Sequence, residues 1–408
     1  MNFIDFQIRA WQDNLSHIRV LVHSSPVGGM RKPVTVPLDV NQIANFRQIT
    51  DIAPFTGKPG TLTTLIDLGK QLSQFIFPRP VFTLLVRSLE RIAAEDGLRI
   101  RLCLDEALID LPWEFLYRPD ASDPDSLTGF LVLNDRVSLV REVPIVYQQV
   151  RVSKKQQRMV FVGALWDGKD DKWEVEKEYH QLSEALEPVK EFLGIEYVTA
   201  SEDHIEQMLM KRAAIFHYSG HTDIANGQGY IIQDLFSSDF ANPPKFYSET
   251  LSALLRKAQT RLAVFSACNS GRWYFVKPLI LKGIPVIIGT QGIVSNRIAT
   301  AFCQKLYASL AIGMSLDEAV TWARFHVLEI NDSAGNENCE WGSFMVYMPA
   351  AEAVLFPRPQ NPEVRERQKS ARNERRQTII NVYQNIGSVQ GGQVTGVSIG
   401  QLIESKTE

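Results

Sequence analysis

Two short segments of this chain could set a nucleophile beside a base. Leu262–Gly271 (L-A-V-F-S-A-C-N-S-G) carries Cys268, and Ala213–His221 (A-A-I-F-H-Y-S-G-H) carries His221. In each, an apolar run of strand character is broken by small polar residues, with the reactive side chain at the break. A thiolate can attack a peptide carbonyl if an imidazole takes its proton and later protonates the leaving amine. Backbone N–H donors must then hold the oxyanion. The N–H groups of Cys268 and of Thr222, just past the histidine, are the candidates for that task. His217 is the rival base, because residues four apart on a strand share a face. It lies inside the apolar run and reads as a core histidine. Cys103 and Cys303, with apolar neighbours, read as structural thiols, and Asp223 and Asp234 read as solvated loop acids.

For Cys268 and His221 to meet, their strands must be parallel neighbours that end on one sheet edge, where open α/β sheets bind ligands. The spacing of 47 residues from His221 to Cys268 leaves room for a hairpin, a helix and a returning strand. The second half of the chain supplies such units. Met159–Leu165, Ile195–Thr199, the two reactive segments and Ile284–Gly289 read as buried strands. Trp173–Leu193, Ser201–Lys211, Ser248–Ala258 and Asn296–Leu310 read as helices between them. Ser315-Leu316-Asp317-Glu318 is a capping box that opens a further helix to Ile330, and Trp341–Tyr347 closes the sheet. The alternation predicts a mostly parallel sheet with helices on both faces. Asn226–Gly229 is glycine-rich, but neither a helix nor G-K-[ST] follows, so it is not a phosphate loop.

The first half reads as strands at Phe3–Trp11 and His17–His23 and two helices within Thr61–Glu95, split by Pro78 and Pro80. Leu98–Asp105 alternates apolar and charged residues, as a half-buried strand does. Leu111–Tyr117 follows, with Pro112 opening a short helix, and Phe130–Pro144 returns extended.

The 408 residues bound the chain to two or three domain-sized units. The 45% apolar and 22% charged fractions are those of an ordinary globular protein, and a net charge of −3 gives no reason to expect nucleic-acid binding. No apolar run reaches the length a spanning helix needs, so no membrane partner is expected. The N-terminus does not read as a signal peptide, and thiols in a reducing cytoplasm are the expectation. The four cysteines lie apart without a C-x-x-C pair, which argues against a zinc site; no metal or other cofactor is expected.

From about Leu98 to Pro349 the chain resembles the CHAT domain, a prokaryotic branch of the caspase-like cysteine peptidases. The motifs that carry this are Leu111-Pro112-Trp113-Glu114 with the R-V-S-L-V-R-E strand, His217–His221, Ser266–Ser270, Gly283–Thr290 ahead of a helix, and Trp341–Tyr347. Caspases themselves carry Q-A-C-[RQG]-G with the histidine about 50 residues upstream; here Ala267-Cys268 and the spacing agree while the flanks differ. The resemblance implies His221 as the catalytic histidine and Cys268 as the nucleophile. It implies residues 1–150 as a degenerate caspase-like lobe and 151–355 as the catalytic lobe. The expected function is a cytoplasmic cysteine endopeptidase acting on a protein substrate, an effector in prokaryotic defence or regulated cell death. The alternative is a catalytically silent caspase-like scaffold that binds partners and oligomerises through its C-terminal tail. Two positions depart from the family: Thr222 stands where it has glycine, and Gln291, Gly292, Ser295 and Asn296 stand where it has a tryptophan and then acids. Substrate preference is therefore not carried over.

Residues 356–377 read as a proline-rich and then charged linker, and 378–408 as a β-prone tail. Thr378–Leu402 is rich in β-branched residues, glycine and amides, and resembles short prion-like motifs that join bacterial effectors to sensors. It could stack as cross-β, form a β-coil or stay disordered. A sensor or activator partner and homo-oligomerisation through this tail are the expectations.

Overall fold

Strand and helix runs that alternate along a chain can bury both their apolar faces only in layers, with a sheet between helices. The structure, a computed structural model, describes residues 1–56, 58, 60–118, 126–143, 157–164, 169–234, 244–330, 339–348 and 370. The tail, and the linker apart from residue 370, lie outside the described residues.

The first half supplies β1 (Phe3–Asn14), β2 (His17–Ser24), β3 (Val34–Pro37), α1 (Val40–Thr56), α2 (Thr61–Ile76), α3 (Arg79–Arg91), β4 (Gly97–Leu104) and β5 (Val137–Glu142). The second half runs β6 (Gln157–Gly163), α4 (Lys169–Leu186), β7 (Leu193–Thr199), α5 (Glu202–Leu209), β8 (Ile215–Ser219), β9 (Thr222–Ala225), β10 (Gln228–Ile232) and β11 (Lys245–Tyr247). It continues through α6 (Ser248–Lys257), β12 (Leu262–Ser266), α7 (Trp273–Leu281), β13 (Val286–Thr290), α8 (Asn296–Ala311), α9 (Leu316–Glu329) and β14 (Phe344–Tyr347). Eleven strands form one sheet in the order β3-β2-β1-β4-β5-β14-β13-β12-β8-β6-β7, and β11-β10-β9 form a small second sheet. All neighbours in the large sheet are parallel except β1–β2, β2–β3 and β13–β14. The mixed α/β, mostly parallel architecture read from the sequence is present.

Strand order decides which helices share a face. β6 to β7 steps toward one edge, whereas β7 to β8, β8 to β12 and β12 to β13 all step the other way. Right-handed crossovers then put α4 on one face and α5, α6 and α7 on the other. α8 packs on α4 and on α9, which completes the first layer.

The sequence misjudged four places. β4 was expected to be half-buried with its arginines in water, yet Arg99 and Arg101 are 6% and 4% exposed. Arg99 meets both Asp317 oxygens at 2.9 and 2.6 Å and Asp5 at 3.0 Å, and Arg101 meets Glu142 at 3.1 Å. Buried guanidinium groups are tolerable because paired carboxylates replace the lost hydration. The extended return from Phe130 contains a 3-10 turn at Leu131–Leu133, and the closing strand is preceded by another at Glu340–Ser343. The helix read as Trp173–Leu193 ends at Leu186, because β7 begins at Leu193. Four elements went unread: the short β3, α1, which contains Pro54, α7, which contains Pro278 and is apolar on most sides, and the short β11.

The seam between the halves is β5–β14, where Tyr347 pairs with Arg141 and the Met348 N–H donates to the Arg141 carbonyl at 3.0 Å. Aromatic rings reinforce it: Trp341 packs on Phe130 and Phe115 with centroids 4.8 and 5.3 Å apart, and such pairs add about 1 kcal/mol beyond their burial.

Candidate active site

β8 and β12 are adjacent and parallel, and Ser219 pairs with Ser266 as the last residues of the two strands. His221 and Cys268 each stand two residues past that pair, so both leave the sheet at its carboxyl edge. The chain turns at Gly220, whose N–H donates to the Ser266 carbonyl at 3.3 Å. A Cβ there would lie 2.6 Å from Ala164 Cβ and 2.7 Å from the Tyr218 hydroxyl, so only glycine fits. Tyr218 fixes the next residue: its hydroxyl accepts from the His221 N–H at 3.1 Å and lies 2.8 Å from the His221 and Ile232 carbonyls. Burial pushes the Tyr218 phenol well up, so it remains a donor.

Past His221 the chain enters the β9–β10 hairpin, closed by Asn226-Gly227 with φ of 53° and 73°. Positive φ at both positions is the type I′ signature that suits hairpin twist, which accounts for this glycine-rich stretch. Ile232 N–H donates to the His221 carbonyl at 2.9 Å. Antiparallel ladders alternate bonded and non-bonded pairs, so the Thr222 N–H points away from β10. Thr222 is extended, not at positive φ, so its β-branched side chain is compatible with this backbone. Its hydroxyl donates to the Cys268 carbonyl, tying the histidine segment to the cysteine segment.

The Cys268 segment is pinned to the end of β13. Ser270 Oγ donates to the Ala267 carbonyl at 2.7 Å, Thr290 Oγ1 donates to the same carbonyl at 2.7 Å, and Gly271 N–H donates to Thr290 O at 2.8 Å. Asn269 takes φ 59°, a left-handed conformation that asparagine tolerates better than most residues. Cys268 is half-buried, and its thiol donates to the Val294 carbonyl at 3.7 Å. Burial raises the thiol's pKa, and the Glu340 carboxylate adds to the rise. Cys268 is thus held as a thiol.

His217 lies beneath this edge, fully buried. Its ring stacks on Phe161 with centroids 4.9 Å apart, Nδ1 is 3.2 Å from the Tyr307 hydroxyl and Nε2 is 3.1 Å from Glu178 Oε1. Glu178 also accepts from Ser219 Oγ at 2.7 Å and Ser266 Oγ at 3.3 Å. One carboxylate on α4 thus ties the last residues of both reactive strands together. Glu178, His217 and Cys303 have donor atoms within 4.8 Å of one another, a set able to hold a metal ion. Their mutual hydrogen bonds, with Tyr307, Ser219 and Ser266, satisfy them as they stand. Cys303 is buried among these groups; burial first, and then the Glu178 carboxylate, raise its thiol's pKa well above the usual value, against a hydrogen bond from Ser266. Cys103 sits on β4, with its pKa also raised by burial. Asp223 accepts from the Tyr230 hydroxyl at 3.2 Å, and Asp234 is buried with an oxygen accepting from the Ala200 N–H at 3.2 Å, not solvated as expected.

The family model for the CHAT domain matches residues 66–349. The chain belongs to the CHAT family. No curated protein matches it in sequence. Among solved structures, this CHAT chain is similar to the Arg-specific cysteine proteinase gingipain R, at 12% identity, covering 73% of this chain and 75% of that one with a TM-score of 0.45. It is similar to separase in the Saccharomyces cerevisiae separase–securin complex, at 12% identity, covering 77% of this chain and 20% of that one with a TM-score of 0.38. A secreted C11 cysteine protease from Bacteroides thetaiotaomicron, in complex with an irreversible peptide inhibitor, is similar at 13% identity, covering 48% and 66% with a TM-score of 0.34. The CHAT chain thus spans a fifth of the separase chain and just under two thirds of the C11 chain. No helix among the described residues is long and apolar enough to cross a membrane.

Sequence reasoning about this CHAT domain missed Tyr218, Glu178 and Glu340. The signal for Glu178 was present as Glu174 and Glu178, four apart on one helix face. Glu340 accepts from the Ser295 N–H at 2.6 Å and Ser295 Oγ at 3.1 Å, capping α8 one residue past Val294. Burial pushes its carboxyl up from 4.5 to about 7, against these hydrogen bonds. A carboxyl whose folded pKa is raised contributes stability that is complete below its unfolded pKa and is lost as pH rises through the folded value. We expect the unfolding free energy of the protein to fall between about pH 4.5 and 7 by on the order of 3 kcal/mol, an amount that Glu340→Gln removes. Parallel pH profiles of the two proteins would contradict this.

Proposed function

We propose that this chain is a cysteine endopeptidase in which Cys268 attacks the scissile carbonyl and His221 moves the proton. The observation that carries the reading is the Ser219–Ser266 register, which brings both residues out of the sheet at the same level on the same edge. The Cys268 S–H proton passes to the imidazole as the S–C bond forms, and the oxyanion falls to the N–H groups of Cys268 and Thr222. His221 then protonates the leaving amine as the C–N bond breaks. A water deprotonated by the same imidazole hydrolyses the thioester and frees the thiol. A thiol whose pKa is raised has little thiolate at neutral pH, so a neighbouring base is essential to this chemistry.

The test is covalent labelling. A peptidyl acyloxymethyl ketone should leave one adduct, at Cys268, with Cys103, Cys303 and Cys339 unmodified in the folded protein by mass spectrometry. An adduct at any other cysteine, with Cys268 untouched, would overturn the assignment.

Finer roles rest on the family resemblance: an effector in prokaryotic defence or regulated cell death, located in the cytoplasm. Residues 378–402 are proposed as its link to a sensor or to further copies. Residues 1–150 and 151–355 are proposed as its degenerate and catalytic lobes.

A further inference from the structure

A cleft opens beside His221, between the ends of β6, β8 and β12 and the helices α4 and α8. It is lined by Ala164, Glu174, Val175, Glu178, Ser219, Gly220, His221, Ser266, Asn296 and Thr300. Ser266 lies two residues ahead of Cys268, and Asn296 two residues past the Val294 carbonyl that receives the thiol. A substrate whose carbonyl is presented to Cys268 can therefore lower its nearest side chain, that of the residue supplying the carbonyl, into this cleft.

The described lining has two carboxylates and no lysine or arginine. Glu174 is at the exposed mouth, where it accepts from the Asn296 side-chain amide. Glu178, 3% exposed, is the floor, its oxygens held by His217, Ser219 and Ser266. The positive end of α8 also faces this region, but the Glu340 carboxylate already occupies it. Ala164 and Val175 offer apolar wall to the stem of a long side chain. Lysine and arginine combine such a stem with a cationic head, and a carboxylate at the mouth gives that head a charge-assisted partner. An acidic side chain would meet two like charges there.

We propose that this cleft selects a lysine or arginine at the residue supplying the scissile carbonyl, with Glu174 as the partner of its cationic head. The proposal rests on the peptidase reading and adds to it the substrate class.

The experiment compares kcat/KM for peptides that differ only at that residue: arginine, lysine, glutamine, leucine or aspartate. The expected result is a preference for the cationic peptides over glutamine of about tenfold to a hundredfold, the range of hydrogen bonds to charged groups. Glu174→Gln should shrink that ratio toward unity, and Glu174→Lys should reverse the order of arginine and aspartate. Turnover that favours aspartate or leucine, or a ratio unchanged in Glu174→Gln, overturns the cleft assignment and leaves the peptidase reading standing. If the folded protein cleaves none of the peptides, the peptidase reading fails separately. Benzamidine binding by titration calorimetry then decides the cleft: binding abolished in Glu174→Lys supports it, and no binding to the unsubstituted protein overturns it.

Discussion

On the proposed reading, Cys268→Ala is expected to remove all peptide cleavage and His221→Ala to lower kcat by about a hundredfold to ten-thousandfold, the usual contribution of a positioned general base. His217→Gln, by contrast, is expected to retain turnover within about tenfold and instead to lose about 1–3 kcal/mol of stability. The contrast follows from where the two imidazoles lie. His217 has both ring nitrogens engaged, by Tyr307 and Glu178, and its faces covered by Phe161 and neighbouring rings, with no exposure to a substrate. His221 stands past the end of β8 and lines the cleft at the sheet's carboxyl edge. Steady-state kinetics and urea unfolding on the same preparations separate the two roles. A folded His217→Gln that has lost turnover while His221→Ala keeps it would reverse the assignment of the base.

The second large effect concerns stability. Glu114 and Arg141 are both fully buried, with Arg141 Nε 3.3 Å from Glu114 Oε1 and Nη2 bound to Glu114 Oε2. Arg141 Nη1 also donates to the Ile109 carbonyl. A second buried guanidinium, Arg324, donates to the Phe344 carbonyl at 2.7 Å. Its pKa is pushed down to about 10 by burial, with Arg141 adding to the effect and Glu114 opposing it. Glu114 is thus the near carboxylate for two cations at the β5–β14 seam. Glu114→Gln should cost about 3–5 kcal/mol, because it leaves buried charge uncompensated. The pair itself is not expected to be worth that much: Glu114→Leu combined with Arg141→Met should recover a large part of the loss. Denaturant midpoints of the single and double variants check this, and a Glu114→Gln within 1 kcal/mol of the parent contradicts it.

These cases also mark what the sequence could disclose. Features set by neighbours along the chain were legible: the proline split between α2 and α3, the Ser315 capping box, the β9–β10 hairpin, and the two strands that break at small residues before a histidine and a cysteine. The equal placement of His221 and Cys268 could be anticipated for the same reason, since each follows its strand by the same two residues. Features set by distant partners were not. Charged residues alternating along β4 have the pattern of a wet face, and distant carboxylates (Asp5, Glu142 and, 218 residues later, Asp317) let that face be buried. Glu178 looked like part of a polar helix face until α4 was laid over the ends of β8 and β12. Asp317 itself was read only as a helix-opening acid, although it also receives the Ser138 hydroxyl at 2.6 Å.

The seam also imposes an order of events while the chain is being made. β5 is buried along nearly its whole length, and its outer neighbour is β14. At about 5–20 residues per second of synthesis, Asp317 follows Arg99 by about 10–40 s, and β14 comes later still. Throughout that interval the first half of the molecule presents an apolar, unpaired strand edge, the kind of surface that recruits foreign strands. The nascent chain's period of greatest exposure to aggregation therefore falls before the second half of the sheet can dock, and it ends only when the last strand of the sheet arrives.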